Sequence, residues 1–190
     1  MHDWAINYEA AIRLSFFLIV FTGMALWEVA APRRILTTAK ATRWLSNVGI
    51  AFLNTVLLRL VFPSAAVGMA WMAGERGWGL LNNVAVPSGL AAVLSVVGLD
   101  FAIYLQHVAF HAVPALWRLH MVHHADLDFD VTTGTRFHPL EMLLSMLIKL
   151  AVAAALGPPV LAVLFFEVLL NATAMFNHAN ARIPAPIDRV

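Results

Sequence analysis

Six of the eight histidines in this chain lie between Asp100 and Glu141, in a pattern that suits a metal. The run reads DFAIYLQHVAFH, then LWRLHMVHH, then TTGTRFHPLE. His107 and His111 are four residues apart, and His120, His123 and His124 form an H-x-x-H-H box. Side chains three or four residues apart share a helix face, so each box can aim several imidazoles at one point. Neutral imidazole is the commonest metal ligand and accepts iron, copper, zinc or nickel. A lone histidine would be read as solvated or hydrogen-bonded. Five within eighteen residues, in helical register with one another, are read as ligands. His138 is a further candidate. His178, in the segment FNHAN at the end of the last apolar stretch, returns to the same end of the chain's layout and joins them.

Other polar residues accompany the histidines. Asp100 and Tyr104 precede His107 on the same helical face, with Asp100 about 10 Å deeper along the axis at the α-helical rise. A carboxylate inside a membrane helix usually faces an interior site. A structural alternative pairs Asp100 with Arg59 or Lys149. A polar turn holding Asp126, Asp128, Asp130, Thr132 and Thr133 leads to Arg136, His138 and Glu141. Its acidic groups, or His138, are candidates to orient ligand imidazoles, as is common around metal-bound histidine. The plainer alternative is a loop re-entering the membrane, capped by threonines, with Pro139 at a helix start.

The elements that must position these groups are membrane helices. The chain is 61% apolar and 12% charged, against roughly 25% charged for average soluble domains. About 20 residues cross a bilayer core. Four apolar stretches qualify: Leu14–Ala31, Val48–Ala73, Val84–Val113 and Leu140–Phe176. The last is broken by Gly157-Pro158-Pro159 and is read as two spans, because glycine followed by proline stops a helix. Pro114 should end the third long helix and start the next. The expected fold is all-α: a multi-pass bundle of four or five spans forming one membrane domain over residues 1–190. Within it, residues 1–83 hold the N-terminal spans and residues 97–190 the histidine region.

Arg33, Arg34, Lys40 and Arg43 lie between the first two spans with no acidic residue among them. The positive-inside tendency then predicts an outside N-terminus and a cytoplasmic histidine cluster. Trp27, Trp44, Trp71 and Trp117 fall near expected span ends. The first apolar run is read as a retained span rather than a signal peptide. A net charge of +1 without a basic run excludes a nucleic-acid partner. The absence of cysteine excludes disulfides, cysteine-ligated zinc, iron–sulfur clusters and thiolate-ligated haem within the chain. No G-x-G-x-x-G stretch offers a nicotinamide or flavin site.

The pieces D-x-x-x-Y-x-x-H-x-x-x-H (Asp100 to His111), L-W-x-x-H-x-x-H-H (Leu116 to His124), D-x-D-x-x-T-T-x-x-R-F-H-P-L-E (Asp126 to Glu141) and N-H-A-N (Asn177 to Asn180) together resemble the fatty acid hydroxylase / sterol desaturase superfamily. Its members are membrane di-iron oxygenases. The resemblance implies two irons at the cytoplasmic face and O2 as co-substrate. It also implies a lipid substrate that is hydroxylated or desaturated, and an external electron donor of the cytochrome b5 or ferredoxin kind. His107, His111, His120, His123, His124 and His178 are then the implied iron ligands. Asp100, Tyr104, Asp128, Arg136, Glu141 and Asn180 are expected to support them. Arg118 and Arg136 are candidates to contact the donor or a lipid headgroup. The family pattern closes with another H-x-x-H-H box beyond the position of His178. The chain stops at Val190 before one, so it is read as C-terminally incomplete and inactive alone; the alternatives are a partial site for one metal, or completion by carboxylates or another chain. Rival readings are an inactive remnant, a bis-histidine haem carrier using His107 and His120, and a metal transporter.

Overall fold

The computed structural model describes residues 3–184. Eight helices follow one another: α1 (Asp3–Asn7), α2 (Glu9–Ala30), α3 (Lys40–Val61), α4 (Ala65–Arg76), α5 (Ser88–Ala112), α6 (Pro114–His124), α7 (Pro139–Leu156) and α8 (Val160–His178). Short 3-10 turns lie at Leu80–Asn82 and Thr133–Thr135. Five helical segments are long and apolar enough to cross a membrane: Glu9–Ala30, Lys40–Asn82, Ser88–Ala112, Pro139–Leu156 and Val160–His178. The expectation of an all-α chain with four or five spans holds, with five candidates among the described residues.

The helix ends follow local chemistry. Gly157 caps α7 with φ of 66°, a left-handed conformation that suits glycine, and Pro158-Pro159 then leads into α8. Pro114 and Pro139 stand at first helical positions, where the missing N–H is harmless. One expected boundary changes. The stretch Val48–Ala73 is not a single helix: α3 starts earlier, at Lys40, and stops at Val61. Pro63 lacks a backbone donor and disfavours helical geometry at Phe62 before it, so α4 is a separate short helix.

The bundle is apolar outside as well as inside. Ile19, Leu26, Phe52, Leu60, Val97 and Phe101 are all exposed, as on a surface that meets hydrocarbon. By contrast, α3 buries Arg43, Asn47 and Asn54. Small residues let helices approach closely when lipid removes the hydrophobic drive between them. Here Ala66, Ala70 and Ala73 of α4 pack into the bundle, in a core shared with Leu99, Val163 and Phe166. Gly79 lies so close to Gly157 that a Cβ on it would sit 2.2 Å from the Gly157 nitrogen. A second, smaller core of Met24, Val131 and Met175 lies beneath the α6–α7 loop.

Ion pairs inside the bundle correct one expectation. Lys149 donates to Glu167 at 2.7 Å and Arg59 pairs with Glu9 at 3.1 Å, so neither meets Asp100. Arg13 bridges both carboxylates, at 2.7 Å from Glu9 and 3.1 Å from Glu167. Asp100 is exposed and, among the described residues, makes no hydrogen bond or ion pair.

Candidate metal centre

Four helix ends meet at one end of the bundle. α5 brings His107 and His111 in its last turns, α6 brings His120, His123 and His124, α7 starts with Glu141 in its first turn, and α8 ends on His178. Ligand atoms of His107, His111 and His120 all lie within 4.8 Å of one another. The His107 and His111 Nε2 atoms are 3.2 Å apart. His124 packs against His111 and His120, with ring centroids 5.0 Å from each. The His123 and His178 Nε2 atoms are 2.9 Å apart. All six histidines of the resemblance are therefore gathered in one cluster. His107, His111 and His124 are exposed, whereas His120 and His123 are buried.

Hydrogen bonds at the far ring nitrogen assign the tautomers. His120 Nδ1–H donates to Glu141 Oε1 at 2.7 Å, the His123 Nδ1–H to the Arg136 carbonyl at 3.1 Å, and the His178 Nδ1–H to the Ala174 carbonyl at 2.7 Å. A neutral imidazole with Nδ1 protonated carries its lone pair on Nε2. His123 and His178 thus aim two lone pairs at each other across 2.9 Å, an arrangement that a shared cation stabilises. Two nitrogens at right angles on one ion, with bonds of ~2.1 Å, would stand about 3 Å apart. Among the described residues, the His120 Nε2 is buried with no hydrogen-bond partner. A buried lone pair without a donor costs about 1–3 kcal/mol. The donor set fits a metal. Burial, reinforced by His178 alongside, pushes the His123 imidazole down to about 3, so it is neutral and ready to ligate.

Aromatic rings wall the cluster. Phe137 stacks on His123 at 4.7 Å with planes 2° apart, Trp117 packs against His111 and His124, and Phe110 against His120. The sequence reading missed these three, although Trp117 stands three residues before His120 and Phe137 directly before His138.

The supporting residues divide in an unexpected way. Glu141 and Arg136 do hold imidazoles, Arg136 through its carbonyl. Asp128 and Asn180 do not touch a histidine. Asp128 accepts from the Thr37 and Thr38 backbone N–H groups, each at 2.8 Å, and the Asn180 amide ties to the backbone of Arg34. Both anchor the α2–α3 loop, where Pro32 also bridges to Ala181. Tyr104, like Asp100, is exposed and bonds to no histidine; its ring stacks on Phe101. His138 Nδ1 accepts the Leu140 N–H at 3.1 Å and caps α7. Its tautomer is the reverse of the others. The Arg136 guanidinium donates through Nε to the Val122 carbonyl and through Nη1 to Asn47, at 2.7 Å each.

The long apolar helices suggest a membrane protein, and the histidines clustered at their ends could hold a metal ion. Residues 92–190 match the family model described as fatty acid hydroxylase, and the chain belongs to that family. No curated protein and no solved structure matches the chain.

Proposed function

We propose that this protein oxidises a C–H bond of a lipid, by hydroxylation or desaturation, at a histidine-held iron centre that uses O2. The observation that carries the reading is the set of Nε2 atoms without donors: the buried His120 Nε2 and the facing pair of His123 and His178. His107, His111 and His120 would hold one ion, His123 and His178 a second, with His124 between the two groups. When bound, iron supplies O2 activation and the oxidising power that no side chain has.

The chain's own residues prepare that site. Glu141 and the carbonyls of Arg136 and Ala174 lock three imidazoles with Nδ1 protonated, so that Nε2 faces inward. Phe137, Trp117 and Phe110 fix ring orientation and exclude water from the buried side. The outward apolar faces of α5 and α8 let an acyl or sterol-like substrate arrive from within the bilayer. We place the histidine end on the cytoplasmic side, supported by the cationic α2–α3 loop, where a soluble electron donor can dock. A bis-histidine haem is disfavoured because the His107 and His120 rings stand only 4.8 Å apart between centroids and meet edge to face, without room for a macrocycle between them.

The test is metal content of the chain purified in lipid nanodiscs. Loaded with ferrous iron under argon and desalted, it should retain iron, with two per chain expected, and show no Soret band. A chain that retains no metal overturns the reading.

A further inference from the structure

We propose that Arg43 of α3, with Glu28 of α2, is a positioning residue of the histidine centre, although both stand outside the segment matched by the family. This rests on the metal reading above. Arg43 is buried, and all three nitrogens of its guanidinium donate to the loop that follows the H-x-x-H-H box. Nε and Nη2 clamp both oxygens of Asp126, each at 2.7 Å. Nη1 donates to Asp130 at 2.7 Å, and Nη2 also donates to the Asp128 carbonyl at 2.7 Å and to the Thr133 hydroxyl at 3.2 Å. One turn along α3, Asn47 donates to Asp126 and Thr132 and accepts from Arg136. Further along, Asn54 donates to the Phe137 carbonyl at 2.8 Å.

These contacts converge on the ligands. Asp126 is two residues past His124. Arg136 supplies the carbonyl that sets the His123 tautomer, and Phe137 supplies the ring stacked on His123. Glu28 closes the other side: its Oε1 accepts the Val131 N–H at 2.7 Å and the Asn180 N–H at 2.8 Å. Asn180 is two residues past His178. One carboxylate therefore joins the loop of one ligand box to the chain that leaves the last ligand.

The clamp also decides the chemistry of the donor set. Asp126, Asp128 and Asp130 follow the box at alternate positions and would be attractive to a cation. Arg43, Asn47 and Thr133 occupy the Asp126 carboxylate, and Arg43, Trp44 and Thr132 occupy that of Asp130. Arg43 therefore keeps the Asp126 and Asp130 carboxylates off the metal, while Thr37 and Thr38 hold that of Asp128, and the site is left to imidazole.

Cobalt(II) titration of the purified chain, read by its ligand-field absorption, tests the proposal. Arg43→Gln and Glu28→Ala should each weaken binding about tenfold or more, the range seen when supports of metal ligands are removed. Arg43→Lys should rescue only in part, because an ammonium cannot clamp one carboxylate bidentately and still reach another. Arg59→Gln breaks a more exposed ion pair with Glu9 away from the histidines and should leave affinity within about twofold while lowering the melting temperature slightly. If Arg43→Gln fails to fold, Arg43→Gln with Asp126→Asn relieves the stranded carboxylate and carries the same expectation. Unchanged affinity in folded Arg43 variants, or an equal loss in Arg59→Gln, overturns the proposal. A wild-type chain that binds no cobalt overturns the metal reading, and this inference with it.

Discussion

At the scale of single residues, the histidines are sorted by which ring nitrogen is already engaged. His120, His123 and His178 spend Nδ1–H on Glu141 and two backbone carbonyls, which leaves Nε2 for a ligand. His138 spends Nδ1 as an acceptor at the start of α7. His120→Ala should therefore abolish binding of the ion assigned to His107, His111 and His120. His138→Ala should leave affinity within about twofold and destabilise the fold by about 0.5–2 kcal/mol as a lost helix cap. Glu141→Gln should keep the fold but lower metal affinity about 10–100-fold, because the amide is a weaker acceptor for the His120 N–H. Isothermal titration and thermal melts separate these outcomes. The pH dependence has a definite sign. His123 stays neutral in the folded chain down to about 3, whereas its ordinary value is 6.5. The unfolded metal-free chain binds the extra proton, so stability is present above about 6.5 and falls as pH drops towards 3. His123→Phe should flatten that slope in melts compared at about pH 7 and about pH 5. Spacing alone identified five of the clustered histidines, and the layout of the spans added His178. The tautomers, which give His138 its different part, depend on partners that spacing does not reveal.

At the scale of elements, the α6–α7 loop is the piece that most needs its surroundings. Asp126 within it would be pushed up by burial, but hydrogen bonds from Arg43, Thr133 and Asn47 outweigh this and hold it at about 2. The loop presses against α8 at Gly134, where a Cβ would lie 2.7 Å from the Ala174 oxygen. That same oxygen accepts the His178 Nδ1–H. Gly134→Ala should cost about 1–3 kcal/mol by overpacking and weaken metal binding through His178. Denaturation in detergent and cobalt titration check the two effects together. The polar stripe that receives this loop was visible in the sequence: Arg43, Asn47 and Asn54 are spaced four and seven apart on a largely apolar helix. Read for charge, Arg43 counted as one more basic residue of a loop. Read by helical period, the three define the inward face of α3, an inverted pattern natural to a helix whose other faces meet lipid.

At the scale of the whole molecule, a chain of ion pairs joins α2, α3, α7 and α8. Glu9 holds Arg13 and Arg59, and Glu167 holds Arg13 and Lys149. Removing one member of a buried pair strands its partners, so Glu167→Ala should destabilise by about 3–5 kcal/mol. Replacing Glu167 and Lys149 together by Leu and Met should recover much of that, as followed by thermal unfolding in nanodiscs. The sequence by itself determined the helices and most of their ends, because prolines, glycines and apolar runs act on neighbours in the chain. It also determined the helical register of the two histidine boxes, because period is a local property. Only the tertiary structure decided that Lys149 meets Glu167 rather than Asp100, and that the loop aspartates serve Arg43 rather than an imidazole. It also decided that His178 turns its lone pair on His123. Those choices depend on how each helix is rotated about its axis and which helix lies beside it. They join residues as far apart as Glu28 and Asn180, and no local preference reaches across that distance.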